Sequence, residues 1–142
     1  MAAKRPPILM PRPNIYRYQL VECGWRVIGG SRIYFRSGWE VKVAMWLQVL
    51  QEGLQIESWQ YEPKVFWFLE IKQGCRSYKP DFKVTALDGS HYWIEVKGYM
   101  DAKSKTKIKR FRKYYPNEKL IIYDKEWFAK NNSLLPKENI YK

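Results

Sequence analysis

The chain is poor in the side chains on which most catalytic and metal-binding chemistry relies. It has one histidine, His91, and two cysteines, Cys23 and Cys75. A structural zinc site takes four Cys or His ligands, and three in total do not supply one. Two cysteines make no disulfide framework, and with no export signal the chain reads as one from a reducing compartment. Ile8-Leu9-Met10 is too short for the apolar core of a secretory signal. Long apolar runs are missing too: the longest, Val43 to Leu47 and Val65 to Leu69, fall far short of a bilayer. A Cys–His nucleophilic pair drawn from Cys23 or Cys75 with His91 has no supporting flanking pattern. Acidic residues are also scarce, fourteen against twenty-six Lys and Arg, a formal charge of +12. That imbalance favours a polyanionic partner. The chemistry left to such a chain rests on carboxylates, lysines and a hard metal ion.

What is present is enough for a packed core. The 142 residues are 46% hydrophobic and 17% aromatic, a composition that excludes general disorder and suits one domain. Residues 1–13 hold Pro6, Pro7, Pro11 and Pro13 with Lys4, Arg5 and Arg12, and read as a flexible basic arm. A single domain is expected over 14–132, with a polar tail over 133–142. Ile15 to Phe35, broken at Gly29-Gly30, suggests a hairpin. From Ser37 to Glu52 the period changes to helical, with Trp39, Val43, Trp46, Leu47 and Leu50 on one face and Gly53 at the end. Strands are expected over Ile56 to Tyr61 and Lys64 to Ile71, followed by a loop at Gly74. A second hairpin joins Phe82–Leu87 to Tyr92–Lys97 across Asp88-Gly89. Residues 103–115 read as a helix with an Ile108, Phe111, Tyr115 stripe, stopped by Pro116. Leu120 to Tyr123 is a short buried strand, and Glu126 to Asn132 a last helical turn. The sum is an α/β domain, a central sheet flanked by helices.

The informative stretch is Pro80-Asp81, thirteen intervening residues, then Glu95-Val96-Lys97. Phosphodiester hydrolysis needs charge neutralisation at the phosphate and an activated in-line water, and divalent ions held by oxygen ligands supply both. Asp81 and Glu95 can share Mg²⁺, with the Val96 carbonyl as a third protein ligand. Glu95 and Lys97, two apart in a strand, emerge on one face, where Lys97 can orient the water or stabilise developing charge. This sets a geometric test. With a loop of Asp88-Gly89-Ser90, Asp81 opposes Lys97 and all three side chains share a face. A two-residue Asp88-Gly89 turn pairs Asp81 with Val96 and puts it on the other. The chemical reading requires a three- or five-residue connection, or a bulge.

Other residues admit structural accounts as well. Ser37-Gly38-Trp39-Glu40 matches a capping box, which explains Glu40 without chemistry; a helix start packed on the sheet could still bring it to Asp81. Glu62, before Pro63, is a weaker substitute for Glu40 in the acid set and reads more as a strand-end carboxylate facing water. Between Lys97 and Lys113 there are eight basic residues and one acid, Asp101. Such one-sign charge suits phosphate tracking by Lys103, Lys105, Lys107, Lys109, Arg110, Arg112 and Lys113. Trp39, Trp46, Trp59, Trp67 and Trp93 read as core or interface residues rather than as base-stacking platforms.

Together these residues resemble the PD-(D/E)xK nuclease superfamily and its restriction-endonuclease-like core. More narrowly, Phe35-Arg36-Ser37-Gly38-Trp39-Glu40-Val41-Lys42-Val43, Tyr78-Lys79-Pro80-Asp81-Phe82 and Glu95-Val96-Lys97-Gly98 resemble, in order, segments of the phage endonuclease I family of Holliday-junction resolving enzymes. The basic helix ending at Tyr115-Pro116 continues the match, over about residues 33–124. The resemblance implies a catalytic set of Glu40, Asp81, Glu95 and Lys97 with Mg²⁺ or Mn²⁺. It further implies branched DNA as substrate, a homodimer, a role in DNA recombination and the cytoplasm of a phage-infected host. The chain departs from that family in a longer Pro63–Arg76 insertion, in lacking the extended carboxy-terminal portion, and over residues 1–30. General phage nucleases, transposase end-cleaving subunits and non-catalytic DNA-binding proteins share the core, and a nuclease acting on RNA would carry the same motif.

Overall fold

Strand β1 (Gly24–Ile28) pairs antiparallel with β2 (Ser31–Phe35) through Gly29-Gly30. Both glycines hold left-handed φ, +60° and +79°, as a two-residue hairpin turn requires. This computed structural model describes residues 23–136. The expected basic arm, the start of the Ile15–Phe35 hairpin and the tail from residue 137 lie outside that range.

Helix α1 (Gly38–Glu52) follows at once. Ser37 caps it, and the complete capping box with Glu40 is formed, while Gly53 closes the far end. The expected single stripe is not what is buried. Val43 and Leu47 are enclosed, but so are Val41, Ala44, Met45 and Gln48, whereas Trp39, Trp46 and Leu50 are half-buried. The reason is that α1 packs on β3 and β7 on one side and under the β1–β2 hairpin on the other. A helix covered twice has no single solvent-facing half to define a stripe.

The central sheet has strand order β3 (Ser58–Tyr61), β6 (Phe82–Thr85), β7 (His91–Lys97), β8 (Leu120–Asp124). The first three run antiparallel and β8 runs parallel to β7. The parallel step needs a crossover, supplied by α2 (Ala102–Tyr114). The fold is therefore mixed α/β, a central mixed sheet flanked by helices. Phe82, Val84, Ile94 and Val96 pack in the cluster around α1. Trp93 joins Ile108 and Phe111 of α2 in a second cluster. α3 (Lys125–Asn131) and a 3-10 turn, Asn132–Leu134, complete the described chain, and Leu135 still packs against the α1-side core.

Between β3 and β6 the chain makes an excursion. Of the strand expected over Lys64 to Ile71, only β4 (Phe66–Trp67) pairs, with β5 (Ser77–Tyr78). The Ile71 N–H donates to the Phe68 carbonyl, turning the chain there. Phe66, Phe68 and Tyr78 enter the second cluster, fastening this short ribbon to α2. Among the described residues no helix is long and apolar enough to cross a membrane.

Candidate metal and phosphate site

The β6–β7 hairpin decides which way Asp81 faces. The Ala86 N–H donates to the Ser90 carbonyl at 2.7 Å and the Gly89 N–H to Ala86 at 3.0 Å. The connection is thus the three residues Leu87-Asp88-Gly89, with Gly89 at φ +86°. It starts one residue earlier than the expected Asp88-Gly89-Ser90. Phe82 pairs with Ile94, so continuing the register sets Asp81 opposite Glu95 rather than Lys97. Facing residues share a side of the sheet, and the arrangement the chemistry requires is met.

The end of this ladder is unusual because Pro80 has no N–H. Beside it the Asp81 side chain serves as an acceptor for β7: Asp81 Oδ2 accepts from the Val96 N–H at 2.7 Å. Alternation along β7 turns the Val96 carbonyl to the same side, toward a proline that has nothing to donate. An oxygen donor without a strand partner therefore sits beside Asp81.

Glu40 arrives from the first turn of α1. Its Oε2 accepts from the backbone N–H groups of Arg36 and Ser37, both at 3.0 Å, and from the Tyr61 hydroxyl at 3.1 Å. Capping and site-building are thus the same geometry. The helix start is held at this place by Trp39, whose ring lies where a Cβ on Gly98 would be, 2.9 Å away. Only a glycine after Lys97 lets α1 dock so close to the end of β7. The ring is closed from elsewhere by Phe128, centroids 4.4 Å apart. On the opposite flank the buried Tyr78 hydroxyl donates to Glu95 Oε2 at 2.6 Å. Each of the three carboxylates is therefore oriented by a donor of the protein, and further oxygen lone pairs stay free for a ligand.

Glu40 and Asp81 are each only 6% exposed. Burial, then the neighbouring charges of Glu95 and Glu40, push the Asp81 carboxyl up to about 9. Burial also raises Glu95, against the Tyr78 hydrogen bond and the Lys97 charge that favour its ionised form. Tyr61 rises to about 12 and Tyr78 further, both through burial first and an adjacent carboxylate second. Asp81 thus sits among acids that oppose its ionisation, and Glu40 opposes that of Glu95, which leaves the centre short of positive charge. An all-oxygen donor set of this kind fits a hard divalent cation.

A second triad overlaps the first. Carboxylate oxygens of Glu40, Glu62 and Asp81 lie within 4.8 Å of one another. Glu62 is not the water-facing strand end expected from sequence. It is half-buried, and pairs with Arg36 and, at 3.1 Å, with Lys79. Its charge is already countered by two cations, whereas Glu95 faces Asp81 with a tyrosine as partner. Glu95 lines the same cleft as Glu40 and Asp81, so either it or Glu62 can complete the acid set around an ion.

Glu40, Asp81 and Glu95 line a cleft of about 340 Å³ that also presents Arg36, Lys79, Lys97, Ser104 and Lys107. Of the basic residues expected on the helix, Lys107 reaches the cleft and Arg110 donates to the Cys75 carbonyl at 2.7 Å, tying down the ribbon. Lys103, Lys105, Lys109, Arg112 and Lys113 are exposed around α2. His91 is engaged by Glu118 at 2.8 Å, and Cys75 approaches the Lys103 carbonyl. Neither belongs to a nucleophilic pair.

Sequence reasoning missed Tyr61, Tyr78, Arg36, Lys79 and Ser104. Tyr78 and Lys79 stand just before Pro80-Asp81, but a tyrosine near an acid has no periodic signature. Comparison with known protein families, characterised proteins and solved structures gave no match.

Proposed function

We propose that the chain is a metal-dependent endonuclease that hydrolyses DNA phosphodiester bonds, with preference for branched DNA such as four-way junctions, on a restriction-endonuclease-like core. One observation carries the reading: Glu40, Asp81, Glu95 and Lys97, from separate stretches of chain, line a single cleft with a basic rim. The motif resemblance to the phage endonuclease I family adds the junction preference, the homodimer and the phage-infected host cell.

Glu40, Asp81, Glu95 and the Val96 carbonyl would hold Mg²⁺ or Mn²⁺. The ion, when bound, would neutralise phosphate charge and lower the pKa of a water. Lys97, on the same sheet side as Glu95, orients that water or stabilises charge developing on the phosphate oxygens. The water oxygen bonds to phosphorus, the bond to the leaving sugar oxygen breaks, and that oxygen takes up a proton. Arg36, Lys79 and Lys107 position the strand through its phosphates.

The test incubates the protein with a four-way junction, linear duplex, single-stranded DNA and RNA, with Mg²⁺, Mn²⁺ or chelator. Metal-dependent cutting confined to branched DNA is the expected result. Equal cutting of linear duplex would remove the junction preference, and cutting of RNA alone the DNA assignment. Glu95→Ala is expected to abolish cutting and keep DNA binding; normal cutting by that variant would sink the mechanism.

A further inference from the structure

The β4–β5 ribbon is fastened more firmly than a surface loop needs to be. The Tyr115 hydroxyl donates to the Trp67 carbonyl at 2.6 Å, and Arg110 to the Cys75 carbonyl on the other side. Phe66 sits edge-on to Trp93, Phe111 and Tyr115, with centroids 4.8–5.0 Å apart. Yet alternate residues point away from all this: Val65 is 40% exposed, Trp67 53% and Leu69 90%, against 1% for Phe66 and Phe68. The sequence allows core or interface for Trp67, and its exposure excludes the core. Its backbone is pinned while much of its indole meets solvent.

Register shows what shares that outward face. Trp67 pairs with Ser77, and the next outward pair is Val65 with Lys79. Lys79 lines the acidic cleft, about 7 Å along the ribbon from Trp67, two residues at the strand rise. Neighbouring phosphates of an extended single strand are spaced on a similar scale. Lys64, by contrast, turns its ammonium over the buried Phe66 ring, 4.7 Å from the centroid, so Lys79 is the cation on the outward face. An aromatic plane on a rigid support, with a lysine leading to the acidic cleft, matches an unpaired nucleotide better than an apolar protein surface.

We infer that Trp67 is a stacking platform for an unpaired nucleobase next to the strand held in the cleft, with Lys79 on the intervening phosphate. The inference rests on the nucleic-acid reading above and extends it to substrate choice: the ribbon selects substrates with an unstacked base near the cut. Leu69, at the turn, flanks the platform.

The test measures binding in chelator, so that it does not depend on cleavage. Fluorescence anisotropy is recorded with a single-stranded oligonucleotide and with the matching linear duplex. Trp67→Ala is expected to weaken single-strand binding about five- to hundredfold, the loss of one base–aromatic stack, and to leave duplex binding unchanged. Trp67→Phe is expected to retain most of the affinity, with thermal unfolding of both variants matching wild type. Unchanged single-strand binding by Trp67→Ala, equal losses on both substrates, or no binding by the wild type would overturn the platform. So would altered self-association at unaltered affinity, which assigns the face to a second copy. Trp67-dependent binding by a protein that never cuts would uphold the platform and reject the nuclease.

Discussion

The two faces of the central sheet are built differently. On the α1 side the core is largely aliphatic, with Val41, Val43, Leu47, Val84, Ile94 and Val96 buried beneath a helix that is itself covered by a hairpin. On the α2 side a smaller cluster is mostly aromatic, formed by Phe66, Phe68, Tyr78, Trp93 and Phe111, beneath a helix whose outer surface is basic. The first face stabilises the domain and delivers Glu40 through its helix start. The second holds Tyr78, and through it Glu95, while offering cations to solvent. Packing and chemistry are thus separable on one side and joined on the other.

Large-to-small substitutions should expose that difference most strongly. Phe111→Ala is expected to cost about 3–5 kcal/mol and Leu47→Ala about 2–5 kcal/mol in urea unfolding. Phe111 touches Tyr78, ring centroids 5.3 Å apart, so its loss should also slow cutting when the protein is fully folded. Leu47→Ala should not. Equal cutting by the two variants at equal folded fraction would erase the distinction.

Lys97→Ala tests the chemistry shared by both faces. It is expected to lower the cleavage rate about 10²–10³-fold, as loss of one preorganised charge or donor does, while gel-shift affinity for DNA holds. A variant that loses binding and rate in step would make Lys97 a phosphate contact alone.

The tyrosines sharpen the comparison. Tyr78→Phe is expected to weaken Mg²⁺ affinity roughly tenfold or more, by freeing Glu95 to rotate. Tyr61→Phe should do less, because Glu40 keeps two backbone donors. Calorimetric titration of the ion that ranked the two variants the other way round would contradict this assignment.

The smallest effect is on pH. Asp81 binds its proton more tightly in the folded protein, up to about 9, than at the ordinary carboxylate value of 3.8. The contribution of Asp81 to stability in chelator is then fully present below the ordinary carboxylate value and is lost as pH rises toward about 9. A divalent cation should restore a few degrees of melting temperature near pH 8, on the order of 1 kcal/mol in a domain of this size, and little near pH 5. A melting temperature in chelator that climbed between those values would contradict the crowding of acids at Asp81.

Legibility from sequence varied with the range of the signal. The Gly29-Gly30 turn, the Ser37 cap, Gly53 and Pro116 were readable because each acts on its neighbours in the chain. The acid pair was readable too, since strand alternation and one loop length set its face. The burial of Glu62 was misjudged because its partners, Arg36 and Lys79, come from other elements. For Trp67 the sequence did not separate core from interface, because a Val-Phe-Trp-Phe-Leu run conceals which alternate residues face inward.

Residue order alone determined most element types and the oxygen-rich set of candidate ligands, because caps, turns and periodicity are short-range and the chain has little histidine or cysteine. Tertiary structure decided that Glu40, Asp81 and Glu95 meet, that tyrosines hold two of them, and that one indole stays outside. Those outcomes depend on how separate elements pack, above all on the close approach of Trp39 to Gly98, and no local pattern encodes a distance between elements.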